Sequence, residues 1–107
     1  MTYANILATA SVLQKLIHEP LHLRQAYHLT KIVNKANEEL EFYQRKQKEI
    51  MTGGFDDNER TKKMNELLNF EIDWPLEPLM LSLDDDIRLT SNDLIISKGI
   101  IEIKEAE

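Results

Sequence analysis

Apolar side chains recur along the first half of this chain with the period of a helix. Ile6, Ala10, Leu13 and Ile17 step by four, three and four, and Leu7 and Leu16 widen the stripe. That spacing puts them on one face of an amphipathic helix over residues 6–17. Residues 1–4, just ahead, suit a short strand leading into it. Glu19-Pro20 then interrupts the pattern. Proline lacks a backbone donor and biases the residue before it away from helix, so a second helix is expected to carry Pro20 in its first turn. From there His22, Ala26, Leu29, Val33, Ala36, Leu40, Tyr43, Gln47 and Ile50 step by alternate fours and threes. This heptad-like seam predicts a helix over residues 20–51, roughly 45 Å long at about 1.5 Å per residue. Glu41 and Arg45 form an i,i+4 pair of the favourable orientation on it. Thr52-Gly53-Gly54 ends the helix, because glycine accepts the left-handed dihedrals of a C-terminal cap.

Asp56 followed by Glu59 resembles a capping box and predicts a third helix over residues 57–68, burying Met64, Leu67 and Leu68. Phe70-Glu71-Ile72-Asp73-Trp74 alternates apolar and acidic side chains, the signature of a half-buried strand. Pro75 and Pro78 punctuate the next stretch, and residues 79–83 read either as a short strand or as an irregular apolar segment. Thr90 and Asp93 make a second capping box, with Leu89 and Leu94 placed for a hydrophobic staple, so a short helix is expected to end near Gly99. Ile101-Glu102-Ile103-Lys104 alternates again as a final strand.

The resulting fold class is α+β, predominantly α: a long helical hairpin with a short third helix and a small C-terminal β-sheet. The sheet is expected to pair residues 70–74 with 101–104, with room for the N-terminus beside them. Because an isolated two-stranded ribbon is marginal, it should lean on the helices. The expected core comprises Leu13, Ile17, Leu29, Val33, Leu40, Leu67 and Leu68.

Length and composition narrow this further. The chain has 107 residues, of which 42% are apolar, enough for one core and against wholesale disorder. It reads as a single domain, residues 1–107, with a helical part over 1–68 and an acidic part over 69–107 holding the strands and the last helix. Residues 1–68 carry 10 Lys/Arg and 9 Asp/Glu, whereas residues 69–107 carry 3 and 10, so the whole net charge of −6 comes from the C-terminal third. No basic field for capturing nucleic acid is present, and the acidic third would repel phosphates and attract a basic partner. There is no cysteine, so disulfides and thiolate chemistry are excluded. Residues 1–16 lack the basic start, apolar run and cleavage site of a secretory signal, and no run approaches the roughly 18 apolar residues of a membrane span. A cytoplasmic protein is expected.

Four constellations invite a chemical reading. His18-Glu19-Pro20-Leu21-His22 fits H-E-x-x-H, the zinc-hydrolase pattern in which two histidines on successive helical turns hold the metal and the glutamate activates water. Those histidines share a face only on a continuous helix, and Pro20 stands between them, so a helix–helix corner is the better reading. Glu38, Glu39 and Glu41 supply conceivable third ligands, while His28 adds no useful spacing. Asp84-Asp85-Asp86 is a possible hard-cation site, but the alternating spacing, glycine and distal glutamate of an EF-hand loop are missing; an acidic surface turn is expected. Arg45, Lys46 and Lys48 beside Tyr43, with Lys62 and Lys63 nearby in sequence, make a small basic–aromatic cluster better read as a solvated helix face than as a nucleic-acid site. Gly53-Gly54 lacks the lysine and spacing of a phosphate loop. The seam of the second helix, finally, is either covered by its neighbours or used by a partner. Its far end, with Tyr43, Gln47, Ile50 and Met51, outreaches both neighbouring helices and is the part expected to need a partner.

The order of several short motifs resembles a known group. Leu13-x-x-Leu16 leads into Pro20-Leu21-x-Leu23-Arg24-x-Ala26-Tyr27, then Asn37-Glu38-Glu39-Leu40-Glu41, Asn65-Glu66-Leu67-Leu68, Phe70-Glu71-Ile72-Asp73 and Leu89-Thr90-x-x-Asp93-Leu94. Over most of its length the chain is similar to small proteins of unknown function encoded by phages and prophages of low-GC Gram-positive bacteria, with a shorter connection between the second and third helices. The resemblance implies a viral accessory setting and carries no catalytic residues with it. The function expected is therefore a non-enzymatic phage accessory protein that binds another protein, in virion assembly or in manipulating the host, without metal or cofactor. Partner contact is expected at Tyr43, Gln47, Ile50 and Met51 or at Asp84, Asp85 and Asp86, with self-association through the long helix as a further use. Direct binding of nucleic acid or membrane is not expected. The alternatives are an acidic inhibitor of a bacterial defence nuclease, mimicking nucleic acid in the anti-CRISPR manner, and a minimal zinc hydrolase using His18 and His22.

Overall fold

A computed structural model describes residues 1–83 and 85–104. The elements run α1 (Tyr3–Leu16), α2 (Leu23–Thr52), α3 (Asp57–Leu68), β1 (Leu79–Ser82), α4 (Ser91–Ile96) and β2 (Ile101–Lys104). The architecture is α+β and mainly helical, as the periodicity predicts. It is elongated, 55 × 23 × 22 Å, because α2 alone has 30 residues.

Local chemistry sets the helix ends. Thr2 and Asn5 form a reciprocal capping box that starts α1 three residues earlier than the apolar stripe suggests. α1 stops at Leu16, and the turn through Pro20 keeps Pro20 out of α2 altogether. His22 occupies the cap instead, its backbone amide donating to Gln25 Oε1 at 3.2 Å. Asp56 accepts from the Glu59 amide at 2.8 Å and starts α3 at the expected residue. Thr90 and Asp93 box the start of α4.

α1 folds back along the first half of α2, so that Tyr3 at the start of α1 meets Glu39 and Tyr43 of α2. α3 returns along the far half of α2 after the turn at Gly53-Gly54. Two helices thus share out the long one, and the far end of α2 is less bare than its length implies.

The sheet differs from the expectation. β2 pairs with β1, not with residues 70–74, and the pairing is parallel, with Leu79 opposite Ile101 and Leu81 opposite Ile103. α4 lies in the connection, as a parallel pair requires a crossover. Leu79 and Leu81 are 1% and 2% exposed, and Ile100 and Ile101 are also buried, so this apolar pair gains more from burial than the acidic segment would. Residues 70–74 run beside the N-terminus instead: the Ile72 amide donates to the Met1 carbonyl at 2.8 Å, and Thr2 bridges Glu71 in antiparallel fashion.

The core joins both helices to the sheet, through Ile6, Val12, Leu13, Leu16, Leu29, Ile32, Leu79, Leu81 and Ile100. Leu13 and Leu29 are buried as expected, whereas Val33, Leu40, Leu67 and Leu68 are only half-buried. Ile17 is a correction: it is 45% exposed, because α1 has ended and the chain is turning there. No helix among the described residues is long and apolar enough to cross a membrane.

Candidate partner-binding surfaces

The burial of α1 and α2 leaves one apolar stripe of the hairpin only partly covered. Val12 and Ile32 are fully buried, whereas the neighbouring stripe carrying Ala10, Ile17, Val33 and Leu40 is half-buried or exposed. Two depressions lie along that stripe. One, of about 200 Å³, is bounded by Leu16, Ile17, Leu21, Ala26, Leu29 and Val33, with Glu19, Thr30 and Asn34 as its polar members. The next, about 40 Å³, continues past Ile6, Ala10, Leu13, Ala36 and Leu40. Ile17 and Val33 border both, so they form one apolar groove between α1 and α2.

A second surface lies where the start of α1, the middle of α2 and residues 70–73 converge. An open depression of about 500 Å³ is walled by Tyr3, Phe42 and Phe70 together with Glu38, Glu39, Glu71 and Asp73. The Tyr3 ring lies 6.3 Å from Phe42 and 6.4 Å from Phe70, at interplanar angles of 18° and 21°. Tyr3 itself is buried, and its hydroxyl donates to Glu39 Oε2 at 3.1 Å. Burial first, then that hydrogen bond and the Glu39 charge, push its phenol up to about 12. Glu39 also takes an ion pair from Lys35 at 2.9 Å, and Glu71 lies 2.9 Å from the Met1 amine. Glu38 and Asp73 make no hydrogen bond or ion pair with another described residue. Both act on Lys35 through space, adding to the Glu39 bond that raises the lysine above its ordinary value.

The residues expected to meet a partner are scattered by the fold. Tyr43 is 7% exposed, lying under Tyr3 with ring centroids 5.5 Å apart, so it is no surface anchor. Gln47 and Ile50 are half-buried, and Met51 alone of that group is well exposed. Asp84 lies outside the described residues. Asp85 accepts from the Ser82 amide at 2.8 Å and from Gln25 Nε2 at 3.1 Å, and those two bonds hold its carboxyl below the usual range. It pins the end of β1 to the first turn of α2. Asp86 is exposed. Gln25 and Glu39 stand about 21 Å apart along α2, so the acidic turn and the carboxylates around Asp73 are separate features.

His18 and His22 do not share a helical face, since the chain turns between Ile17 and His22. Among the described residues no group of three His, Asp or Glu side chains is arranged to hold a metal ion. His28 Nε2 lies 2.6 Å from the Glu77 carbonyl, tying α2 to the segment before β1. The basic cluster divides as well: Lys46 pairs with Glu49 at 3.2 Å and lies 5.5 Å from the Phe42 ring, while Lys63 covers Phe55 from α3. No family model, curated protein or solved structure matches the chain.

Proposed function

We propose that this protein works by binding another protein, without a reaction of its own, and that it seats an apolar helix of that partner in the groove between α1 and α2. In the setting that the sequence resemblance implies, this is a phage accessory protein acting in virion assembly or on the host. The observation that carries the reading is the groove itself, where Ile17 at 45% exposure and half-buried Ala10, Val33 and Leu40 stand along one seam. Apolar side chains in a continuous row are what an amphipathic helix needs on the opposite side. α1, with 14 residues and a length of about 21 Å, offers an incoming helix roughly four turns to lie along.

The test uses a library of helical peptides selected on the folded protein. Enriched sequences should carry apolar residues at i, i+3, i+4 and i+7, and should lose binding to Ile17→Asp but not to Asp86→Asn. Binding that survives Ile17→Asp would overturn the proposal. So would a wild-type dimer in sedimentation that Ile17→Asp dissociates, since a second copy would then be the occupant.

A further inference from the structure

We infer that the aromatic–acidic depression at the start of α1 receives an arginine side chain presented by a protein partner. This site is separate from the α1–α2 groove and stands independently of what binds there. Its first feature is the row of rings. Phe42 and Phe70 flank Tyr3 at 18° and 21°, and they are 39% and 57% exposed, so phenyl surface faces the solvent on both sides of a buried phenol. Exposed phenylalanine carries a cost that burial against a partner would recover.

The second feature is the charge left over. Four carboxylates border the depression, and two of them are matched, Glu39 by Lys35 and Glu71 by the Met1 amine. Among the described residues, Glu38 and Asp73 border the depression without an ion pair. An occupant must therefore be flat and apolar enough to lie on a ring, and cationic enough to answer two carboxylates. Guanidinium meets both demands: it is planar, weakly hydrated, stacks on aromatic faces and presents a fork of donors to carboxylates. Ammonium is compact and strongly hydrated, and a methylated ammonium is recognised by rings that box it in, whereas these rings lie nearly parallel. The chain already places a guanidinium beside one of these rings, with Arg45 5.9 Å from the Phe42 centroid. Among the described residues no cation lies over Phe70, and that is where the incoming side chain belongs. Nucleic acid is the wrong sign for this surface.

The test is an NMR titration of the whole protein at low salt with N-acetyl-arginine amide, the lysine analogue and the neutral isostere citrulline. The ring signals of Tyr3, Phe42 and Phe70 should shift with arginine, and affinity for citrulline and lysine should be lower by roughly tenfold, equivalent to about 1.4 kcal/mol. Phe70→Ala and the pair Glu38→Gln with Asp73→Asn should each weaken arginine binding, and added salt should weaken it too. Both carboxylate changes are at the surface, so they decide the matter if Phe70→Ala does not fold. Ile17→Asp should bind arginine as the wild type does, which separates this site from the groove. Absent ring shifts, equal binding of citrulline or lysine, or indifference to the Glu38/Asp73 pair would each overturn the inference.

Discussion

Lys15 and Asp93 meet at 2.6 Å although 78 residues separate them in sequence. The contact fastens α1 to α4, and so holds the crossover connection of the sheet against the helical hairpin. Asp93 is already committed locally: its carboxylate accepts from the Thr90 amide at 2.9 Å in the capping box. Thr9 adds a second tie, its hydroxyl lying 3.2 Å from the Ile96 carbonyl at the end of α4. A six-residue helix has little stability of its own, and these contacts explain why it persists.

Acid should therefore weaken the fold through Asp93. The Lys15 bond first, then the Thr90 amide, hold this 5%-exposed carboxyl below the usual carboxylate range. A depressed value means that the folded state favours the charged form. The stabilisation is complete above the ordinary value of about 4 and is lost as pH falls through the lower folded value. Thermal melts from neutral to strongly acid solution should show a loss of stability in wild type that is smaller in Asp93→Asn. The variant should be the less stable of the two at neutral pH. Parallel curves would mean that Asp93 does not titrate with folding.

Alkali should act through Tyr3. Its phenol stands at about 12 in the folded chain, against an ordinary value near 10. A raised value favours the protonated form on folding, so this contribution is intact below about 10 and disappears as pH climbs toward 12. Tyrosinate absorbance should report one of the three tyrosines ionising late, and Tyr3→Phe should remove that late step. Its unfolding midpoint should also fall less steeply across the same interval.

The turn between α2 and α3 gives a backbone prediction. Gly54 has φ +74°, where an alanine is strained although nothing crowds the added carbon. Gly54→Ala should cost about 1 kcal/mol in denaturant titration, with no change in the slope of the transition. Gly53 is limited by contact instead: a Cβ there would stand 2.8 Å from the Glu49 carbonyl oxygen, so Gly53→Ala should destabilise as well. A neutral Gly54→Ala would mean that the turn adopts another conformation.

The sequence marks the helix boundaries well because caps are local. Asp56 with Glu59, Thr90 with Asp93 and the Gly53-Gly54 stop each act within a few residues of themselves. The core face is harder to read. Both α1 and α2 carry two apolar stripes side by side, and periodicity does not say which one the sheet will cover. Val12 and Ile32, both 0% exposed, are passed over by the spacing of Ile6, Ala10, Leu13 and Ile17 in α1 and of Ala26, Leu29, Val33 and Ala36 in α2. The strand pairing is harder still, since alternation at residues 70–74 and 101–104 is equally good, and only the buried Leu79 and Leu81 decide the partner. The aromatic depression has no local signature at all. It assembles Tyr3, residues 38–42 and residues 70–73 through tertiary folding, and the sole hint is the exposed Phe70 beside Glu71 and Asp73.

The choice between the two stripes is itself measurable, and it bears on the proposed partner groove. Ile32 is fully buried in the core, so Ile32→Ala removes three carbons from a packed site and should cost roughly 2–5 kcal/mol. Leu29→Ala, at 4% exposure, should fall in the same range of about 2–5 kcal/mol. Ile17 lies at the mouth of the groove with 45% of its surface in water, and Ile17→Ala should stay within about 0.5 kcal/mol of wild type. Val33, half-buried and shared by both depressions, should fall between them. This order holds only if Ile32 lies in the core and Ile17 stands at its edge, with Val33 between. Were the expectation from periodicity correct, Ile17 and Val33 would be as costly as Leu29. Equilibrium unfolding of the four alanine variants distinguishes the two arrangements, and a large cost at Ile17 would remove the groove from consideration as a docking site.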